Sequence, residues 1–407
     1  MISFDDIIKE ELSINYGCSP LLKPHYFNAP IELGEIKMKE IEQKHSLINR
    51  FFSIVAYLGK KSLEDSEIDL SKVLFSEAPL GLNGAYHKSL PDCCWTPPFL
   101  YRTDESLSGK IFEIQSPGSG WGDLYLLAKC YDALGYCVPD YLLNFPNVYS
   151  AEIKKYTHCS FPRVFHMLDA ASVPYNMRYL LSITNELAYW GIDGSVKMHD
   201  VDFVISHSVT SLIASNFFNT YLDKARNNEL VFSTQPNIIF DEKAIYLLPF
   251  FRESRQYFSK EIRELFPFTT FIENNGYFDE NDDFVSIDEF VKRPPRERRY
   301  YLKYGGPDTN RNWGSRSVYR LSGSDCKKLL DIAVEKAKHG EVWLIQEDCS
   351  KCITEDFSSD ITDILSKRLN IKISSFYGRD ILFGVKIMAR NHFKVHGQND
   401  TFTGIGV

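Results

Sequence analysis

Apolar positions along the chain fall into blocks whose spacing switches between helical and strand periods. Helical spacing runs from Phe4 to Leu12 and from Met38 to Leu58, with polar connections between. Three prolines hold Leu90 to Tyr101 in extended or turn-like backbone. A hairpin follows, with Leu100 to Asp104 joined through the turn-rich Glu105 to Gly109 to a second strand, Lys110 to Gln115. The loop SPGSGWG at 116–122 then leads into an apolar-periodic helix, Asp123 to Leu134, closed by Gly135.

From about 136 to 240 the pattern is that of an α/β region. Helical spacing covers Pro162 to Leu187, and a strand is expected at Val201 to Ser206. A helix at Val209 to Ala225 and a strand at Glu229 to Phe232 come next. Asp241 to Phe250 reads as the start of a helix carrying Lys243. The segment 278–299 is the most polar, with the runs DENDD and KRPPRERR, and is expected to be a mobile loop or lid margin. Tyr300 to Leu302 has strand character, ended by Lys303, and a second strand is expected at Ser317 to Leu321. Ser324 to Lys338 reads as a helix ending at Gly340 and feeding a strand, Glu341 to Glu347. Further strands are expected from Asp380 to Met388 and on to Val407.

Composition narrows the class. A chain of 407 residues, 44% hydrophobic and 25% charged, has the balance of a globular protein of two or three domains. A net charge of −8 argues against a nucleic-acid partner gripped mainly through phosphates, while leaving room for a local basic groove. No apolar run is long enough for a membrane span, and the acidic start MISFDDIIKEEL is unlike a signal peptide, so a cytoplasmic protein is expected. Nine scattered cysteines read as reduced thiols. Cys349 and Cys352 form a lone CxxC, half of what a structural zinc site needs.

Two stretches carry candidate chemistry. Period-two alternation puts Arg102 and Asp104 on one face of the first hairpin strand, and Glu113 and Gln115 on one face of the second. Two carboxylates and an amide oxygen suit Mg²⁺ beside phosphates, and an arginine suits charge on a transferring phosphoryl group. The same alternation equally describes the exposed face of an ordinary hairpin. Lys303, followed by Gly305, Gly306 and Gly314, is a phosphate grip or a snorkelling lysine at a hairpin end. The loop at 116–122 lies between a strand and a helix, as an S-adenosylmethionine or dinucleotide site would, but Asp123 stands where a third glycine belongs. Asp279, Asn281 and Asp283 imitate an EF-hand start, yet Phe284 and Phe290 occupy the positions of the turn glycine and final glutamate.

In their order, these pieces resemble a circularly permuted ATP-grasp ligase of the glutathionylspermidine synthase-like kind, without an amidase domain. That family has an arginine, an aspartate two residues on, and a following strand with Glu-x-Asn. Here stand Arg102-Thr103-Asp104 and Glu113-Ile114-Gln115, with glutamine for the asparagine. Asp241-Glu242-Lys243-Ala244-Ile245, Phe266-Pro267-Phe268-Thr269-Thr270, Leu302-Lys303-Tyr304-Gly305-Gly306, Gly314-Ser315-Arg316 and Leu344-Ile345-Gln346-Glu347 follow in the family's order.

The resemblance implies an α/β ATP-grasp fold with a Rossmann-like pre-ATP-grasp domain at 131–240, between a metal-binding part at 1–130 and a nucleotide-binding part with lid at 241–407. It implies ATP and Mg²⁺ as cofactors, and a small-molecule acid and amine joined through an acyl phosphate. Arg102 would be catalytic, while Asp104, Glu113 and Gln115 would hold the metal. Lys243 and Lys303 would grip phosphates under a flap at Gly314 and Ser315, and Gln346 and Glu347 would face the adenine. Two alternatives stay open: a methyltransferase using the 113–122 loop, and a catalytically inactive ATP-grasp-like binding protein.

Overall fold

Ile41, Ile48, Phe51, Phe52, Val55 and Leu58 recur at helical spacing and become one buried stripe on a 30-residue helix, Glu35–Glu64. It outruns the expected Met38 to Leu58 at both ends, beginning after Gly34 at φ +85° and carrying Glu35 in its first turn. The computed structural model describes residues 6–8, 10, 25–64, 68–75, 84–116, 120–167, 188–190, 201–206, 209–213, 215–240, 242–306, 311, 316–349, 359–367, 369–395 and 400–407.

That helix packs on a six-stranded sheet. Its strands lie in the order His25–Tyr26, Phe402–Gly406, Leu382–Arg390, Asn370–Tyr377, Tyr101–Glu105, Ile111–Gln115. All neighbours are antiparallel except the first pair. Phe52 meets Tyr101 edge-on, and the Tyr377 hydroxyl donates to the Ile41 carbonyl at 2.9 Å. The central strand Asn370–Tyr377 has no counterpart among the expected elements, because one of its buried faces is polar, carrying Lys372 and Ser374.

A second, four-stranded antiparallel sheet has the order Val318–Arg320, Tyr300–Tyr304, Trp343–Glu347, Thr269–Phe271. Helices Cys326–Ala337 and Ile287–Lys292 cover its outer face through Leu330, Ala333, Ile287 and Phe290. Lys303 does not end its strand as expected: pairing continues to Tyr304, which is buried beside Trp343.

The region 136–240 holds a four-stranded parallel sheet, ordered Ala188–Trp190, Val164–Met167, Phe203–Ser206, Val231–Phe232. The molecule is thus mixed α/β with several separate sheets. The helix expected from Pro162 is corrected at Val164–Met167, which is a strand; residues 168–187 lie outside those described. The helix expected at Val209 to Ala225 comes as two pieces, Val209–Ile213 and Phe218–Arg226. Between the pieces the backbone tightens into turns, with the Ser215 N–H donating to the Leu212 carbonyl and the Phe218 N–H to the Ser215 carbonyl, each at 3.2 Å. The start of a helix expected at Asp241 becomes a buried 3₁₀ turn, Lys243–Leu247. Among the described residues no helix is long and apolar enough to cross a membrane.

The polar stretch 278–299 is not the loop expected. Gly276–Phe278 and Phe284–Ser286 form a hairpin, and Tyr277, Val285, Ile287 and Phe290 are buried beneath its charges. The acidic run is its turn, in which the Asp279 carboxylate accepts from the backbone N–H of Asn281 at 2.9 Å and Asp283 at 3.1 Å. Ser286 and Glu289 cap the following helix reciprocally. Ser286→Ala is expected to cost about 1 kcal/mol in urea unfolding, the usual loss for an N-cap.

Candidate active-site cleft

The two antiparallel sheets face each other across a cleft of about 950 Å³ counted out to its open mouth. Register decides which side chains enter it. In the hairpin, Arg102 pairs with Gln115 and Asp104 with Glu113, so all four share one face. Thr103 and Glu105 point to the other face, where the Glu105 carboxylate receives Lys44 of the long helix. On the second sheet, Tyr301 pairs with Gln346 and Lys303 with Val318, which puts these four on the facing wall.

Of the residues expected in the site, Asp104, Glu113, Gln115, Lys303, Gln346 and Glu347 all line this cleft. Lys243 is not part of the lining, but its Nζ lies 3.2 Å from Glu113 Oε1, a group that is. Arg102 is a correction: it is fully buried, lies outside the lining and donates to Asp104 Oδ2 at 3.0 Å. Gln346 is not simply adenine-facing, since its Oε1 accepts from Lys303 at 2.5 Å while its Nε2 donates to Thr269 at 3.1 Å. Gly314 and Ser315, the expected flap, lie outside the described residues, as does Cys352. Cys349 lines the cleft as a buried thiol whose pKa burial pushes up.

Lys303 bridges the cleft. From the second sheet its ammonium reaches the Phe112 carbonyl of the first at 3.2 Å, as well as Gln346. Both partners are neutral oxygens, and no carboxylate within 4 Å pairs with it among the described residues. Burial pushes its pKa down to about 8, with Glu113 opposing that shift.

Lys372 was missed in the sequence. It lines the cleft from the central strand, 2.8 Å from Asp104 Oδ2, and burial likewise pushes it down to about 8. Only the repeated apolar-polar alternation of Ile371, Lys372, Ile373 and Ser374 hinted at its strand. Burial raises the Glu113 carboxyl, but Lys243, Lys303 and Lys372 outweigh it and hold the group below its ordinary range.

The lining itself balances Lys303, Lys372 and Lys394 against Asp104, Glu113 and Glu347, and the formal excess of two positive charges comes from Arg102 and Lys243 behind it, in contact with Asp104 and Glu113. Such an excess calls for an anion. Beside it, Phe112, Tyr301, Val318, Ile371, Phe393 and Val395 form an apolar slot suited to a flat ring. Tyr301 and Phe393 meet at 5.7 Å between ring centres.

As metal ligands the three expected groups differ. Glu113 and Gln115 face the cleft and suit Mg²⁺ held partly by phosphates and water. Asp104 fits poorly, because Arg102, Lys372 and Ser374 already engage its oxygens, the last at 2.6 Å. No group of three or more His, Cys, Asp or Glu side chains is arranged around a metal position among the described residues.

The 116–122 loop follows the edge strand of an antiparallel sheet, whereas dinucleotide sites of this type sit on parallel βαβ units. At the start of helix Trp121–Ala133, the Asp123 carboxylate and Lys386 pair at 2.7 Å. A Cβ on Gly120, at φ +96°, would lie 2.8 Å from that ammonium. The helix end is filled by the chain's own ion pair.

No known family model and no curated protein matches the chain.

Proposed function

We propose that the cleft binds Mg–ATP and that the chain is an ATP-dependent carboxylate–amine ligase built as a circularly permuted ATP-grasp protein of the glutathionylspermidine synthase-like kind. The observation carrying this reading is Lys303. It is a buried ammonium between the two sheets, its hydrogen-bond partners among the described residues are neutral oxygens, and it stands in a cleft beside an apolar slot. A triphosphate supplies the missing negative charge and a base fills the slot. The parallel-sheet region at 131–240 is the flanking domain of this scheme.

In the proposed reaction a carboxylate oxygen attacks the γ-phosphorus and the bond to the bridging oxygen of ADP breaks. The amine nitrogen then attacks the carbonyl carbon of the acyl phosphate, loses a proton, and phosphate leaves. Lys303 and Lys243 hold phosphate oxygens, and the Gln346 amide, fixed by Thr269, keeps Lys303 aimed across the cleft. Glu113 and Gln115 would hold Mg²⁺, which neutralises charge on the transferring phosphate. Arg102 and Lys372 act through Asp104, setting the local potential rather than touching the phosphate. Catalysis on this scheme is positioning and charge stabilisation, with no covalent enzyme intermediate. Gly314 and Ser315 would be its flap.

A second reading, nucleotide binding without turnover, draws on Asp104, whose oxygens are committed to protein partners. Hydroxylamine separates the two, because it replaces the amine and traps acyl phosphates as hydroxamates. ADP and hydroxamate are expected in equal amounts from ATP, Mg²⁺ and one or more of acetate, succinate, glutamate and benzoate. Glu113→Gln is expected to lower that turnover by about 100-fold or more with unchanged folding by circular dichroism. Nucleotide binding with no ADP release over this panel would favour the second reading.

A further inference from the structure

Two aromatic rings meet across the apolar slot of the cleft. Phe393 reaches it from the six-stranded sheet, on the connection between the strands Leu382–Arg390 and Phe402–Gly406. Tyr301 reaches it from the four-stranded sheet. Their centres are 5.7 Å apart and their planes are tilted by 35°. Aromatic rings in direct contact have centres about 4.5–7 Å apart, so these two touch. A flat ring slid between them needs about 3.5–4 Å on each of its faces, hence about 7 Å or more between the outer two. The slot can take such a ring at this point only after one of the pair has moved.

Phe393 is the one placed to move. Tyr301 is held in a strand paired on both sides, with Arg320 and Gln346. Around Phe393 the backbone is pinned, but the ring is not packed into the core. Arg390 holds the Asp400 carboxylate at 2.6 Å and the Lys394 carbonyl at 2.7 Å. The Thr401 hydroxyl donates to the Val395 carbonyl at 2.8 Å. Asn391 and His392 are exposed and Phe393 is half-buried. Among the described residues the Phe393 ring joins none of the hydrophobic clusters of the core. Its other neighbours lie on its own segment, the His392 ring at 4.4 Å and the Lys394 ammonium at 5.8 Å. A change of rotamer therefore breaks one contact across the slot and leaves the core intact.

We propose that Phe393 is an aromatic gate on the cleft. Turned onto Tyr301 it closes the apolar slot. Swung outward about χ1 it admits a flat ring, while Arg390 and Thr401 keep the backbone in place. The gate acts on any ring-bearing ligand; that this ligand is a nucleotide base rests on the Mg–ATP reading. A gate that stands open about a tenth of the time slows entry about tenfold. A reagent too small to need a ring-sized opening passes at the same rate in either position.

Cys349 reports on the gate without any nucleotide. It lines the same cleft, just beyond the strand Trp343–Glu347, whose Gln346 pairs with Tyr301. Its tryptic peptide, 339–351, holds no other cysteine, so mass spectrometry of that peptide follows its labelling in the intact folded chain. N-phenylmaleimide is expected to label Cys349 about tenfold faster in Phe393→Ala than in the wild type, whereas methyl methanethiosulfonate should label both alike. Phe393→Leu should fall between, and it serves if the alanine variant folds poorly. In stopped flow, Mg–ATP should associate faster with Phe393→Ala by the same factor, and Mg–tripolyphosphate, which has no base, should not. Absence of Mg–ATP binding to either chain would remove the nucleotide reading and leave the labelling rates to judge the gate. Equal N-phenylmaleimide rates in wild type and variants overturn the gate. So does equal acceleration of both thiol reagents, which reports a loosened fold.

Discussion

Lys303→Met is expected to lose Mg–nucleotide affinity by about 100-fold in calorimetry while matching or exceeding the wild type in thermal stability. The binding loss follows from removing the ammonium whose contacts are two neutral oxygens, since charge-assisted hydrogen bonds to phosphate are worth about 2–3 kcal/mol. The stability gain follows from the same burial: an ammonium without a contacting counter-ion is costly to desolvate, and an apolar side chain of similar length is not. Unchanged affinity would remove Lys303 from the site.

The pH dependence has a definite sign. Burial lowers Lys303 from 10.5 to about 8 in the folded chain. Between these values the unfolded lysine keeps a proton that the folded one has released, so wild-type stability rises with pH across that window. Below about 8 both states are protonated and the full cost of burial remains. Lys372, lowered to about 8, adds in the same direction. Lys303→Met should flatten part of this rise. Nucleotide affinity should move oppositely, falling above about pH 8 as the free protein's Lys303 loses its proton. One lysine limits that fall to about tenfold per pH unit.

Glu105→Ala is expected to destabilise the fold by about 3–5 kcal/mol, the usual cost of breaking a buried ion pair from one side. Glu105 is fully buried on the face opposite the cleft. It accepts from Lys44, from Thr103 at 2.7 Å and from Ser375 at 3.2 Å. Lys44 also donates to the Gly109 carbonyl at 2.8 Å, so one ammonium ties the long helix to the hairpin turn. Asp104 is the next residue along that strand and faces the cleft, so this cluster also fixes the site's floor. The double variant Lys44→Met/Glu105→Leu should recover most of the loss, because no charge is then left unpaired. Urea midpoints should shift with little change in slope, and a single-variant loss below about 1 kcal/mol would show the pair to be solvated.

The hairpin was readable because polar residues recur at every second position, Arg102 and Asp104 on one strand and Glu113 and Gln115 on the other, and Gly109, at φ +80°, ends its turn. The antiparallel register then brought Asp104 and Glu113 together as neighbours, and the facing wall supplied Lys303 and Gln346. What stayed hidden has a common cause: polar residues on buried faces. Lys372 and Ser374 made Asn370–Tyr377 look unlike a central strand, although both faces are covered. Lys303 was read as leaving the core because a lysine is seldom enclosed, yet it is 5% exposed and its strand continues. At 278–299 charge density masked three buried apolar side chains, Val285, Ile287 and Phe290, and a capping box. Arg102 shares the face of Gln115 but stops short of the cleft, held by Asp104, which depends on depth rather than on register.

The most direct measurement is thermal unfolding of the wild-type chain with saturating Mg–ATP, S-adenosylmethionine or NAD in parallel, since a ligand that binds only the folded state raises Tm. A rise with Mg–ATP alone, lost in Lys303→Met, is the expected result. No shift with Mg–ATP, or a larger one with S-adenosylmethionine or NAD, would contradict a nucleotide cleft gripped by Lys303.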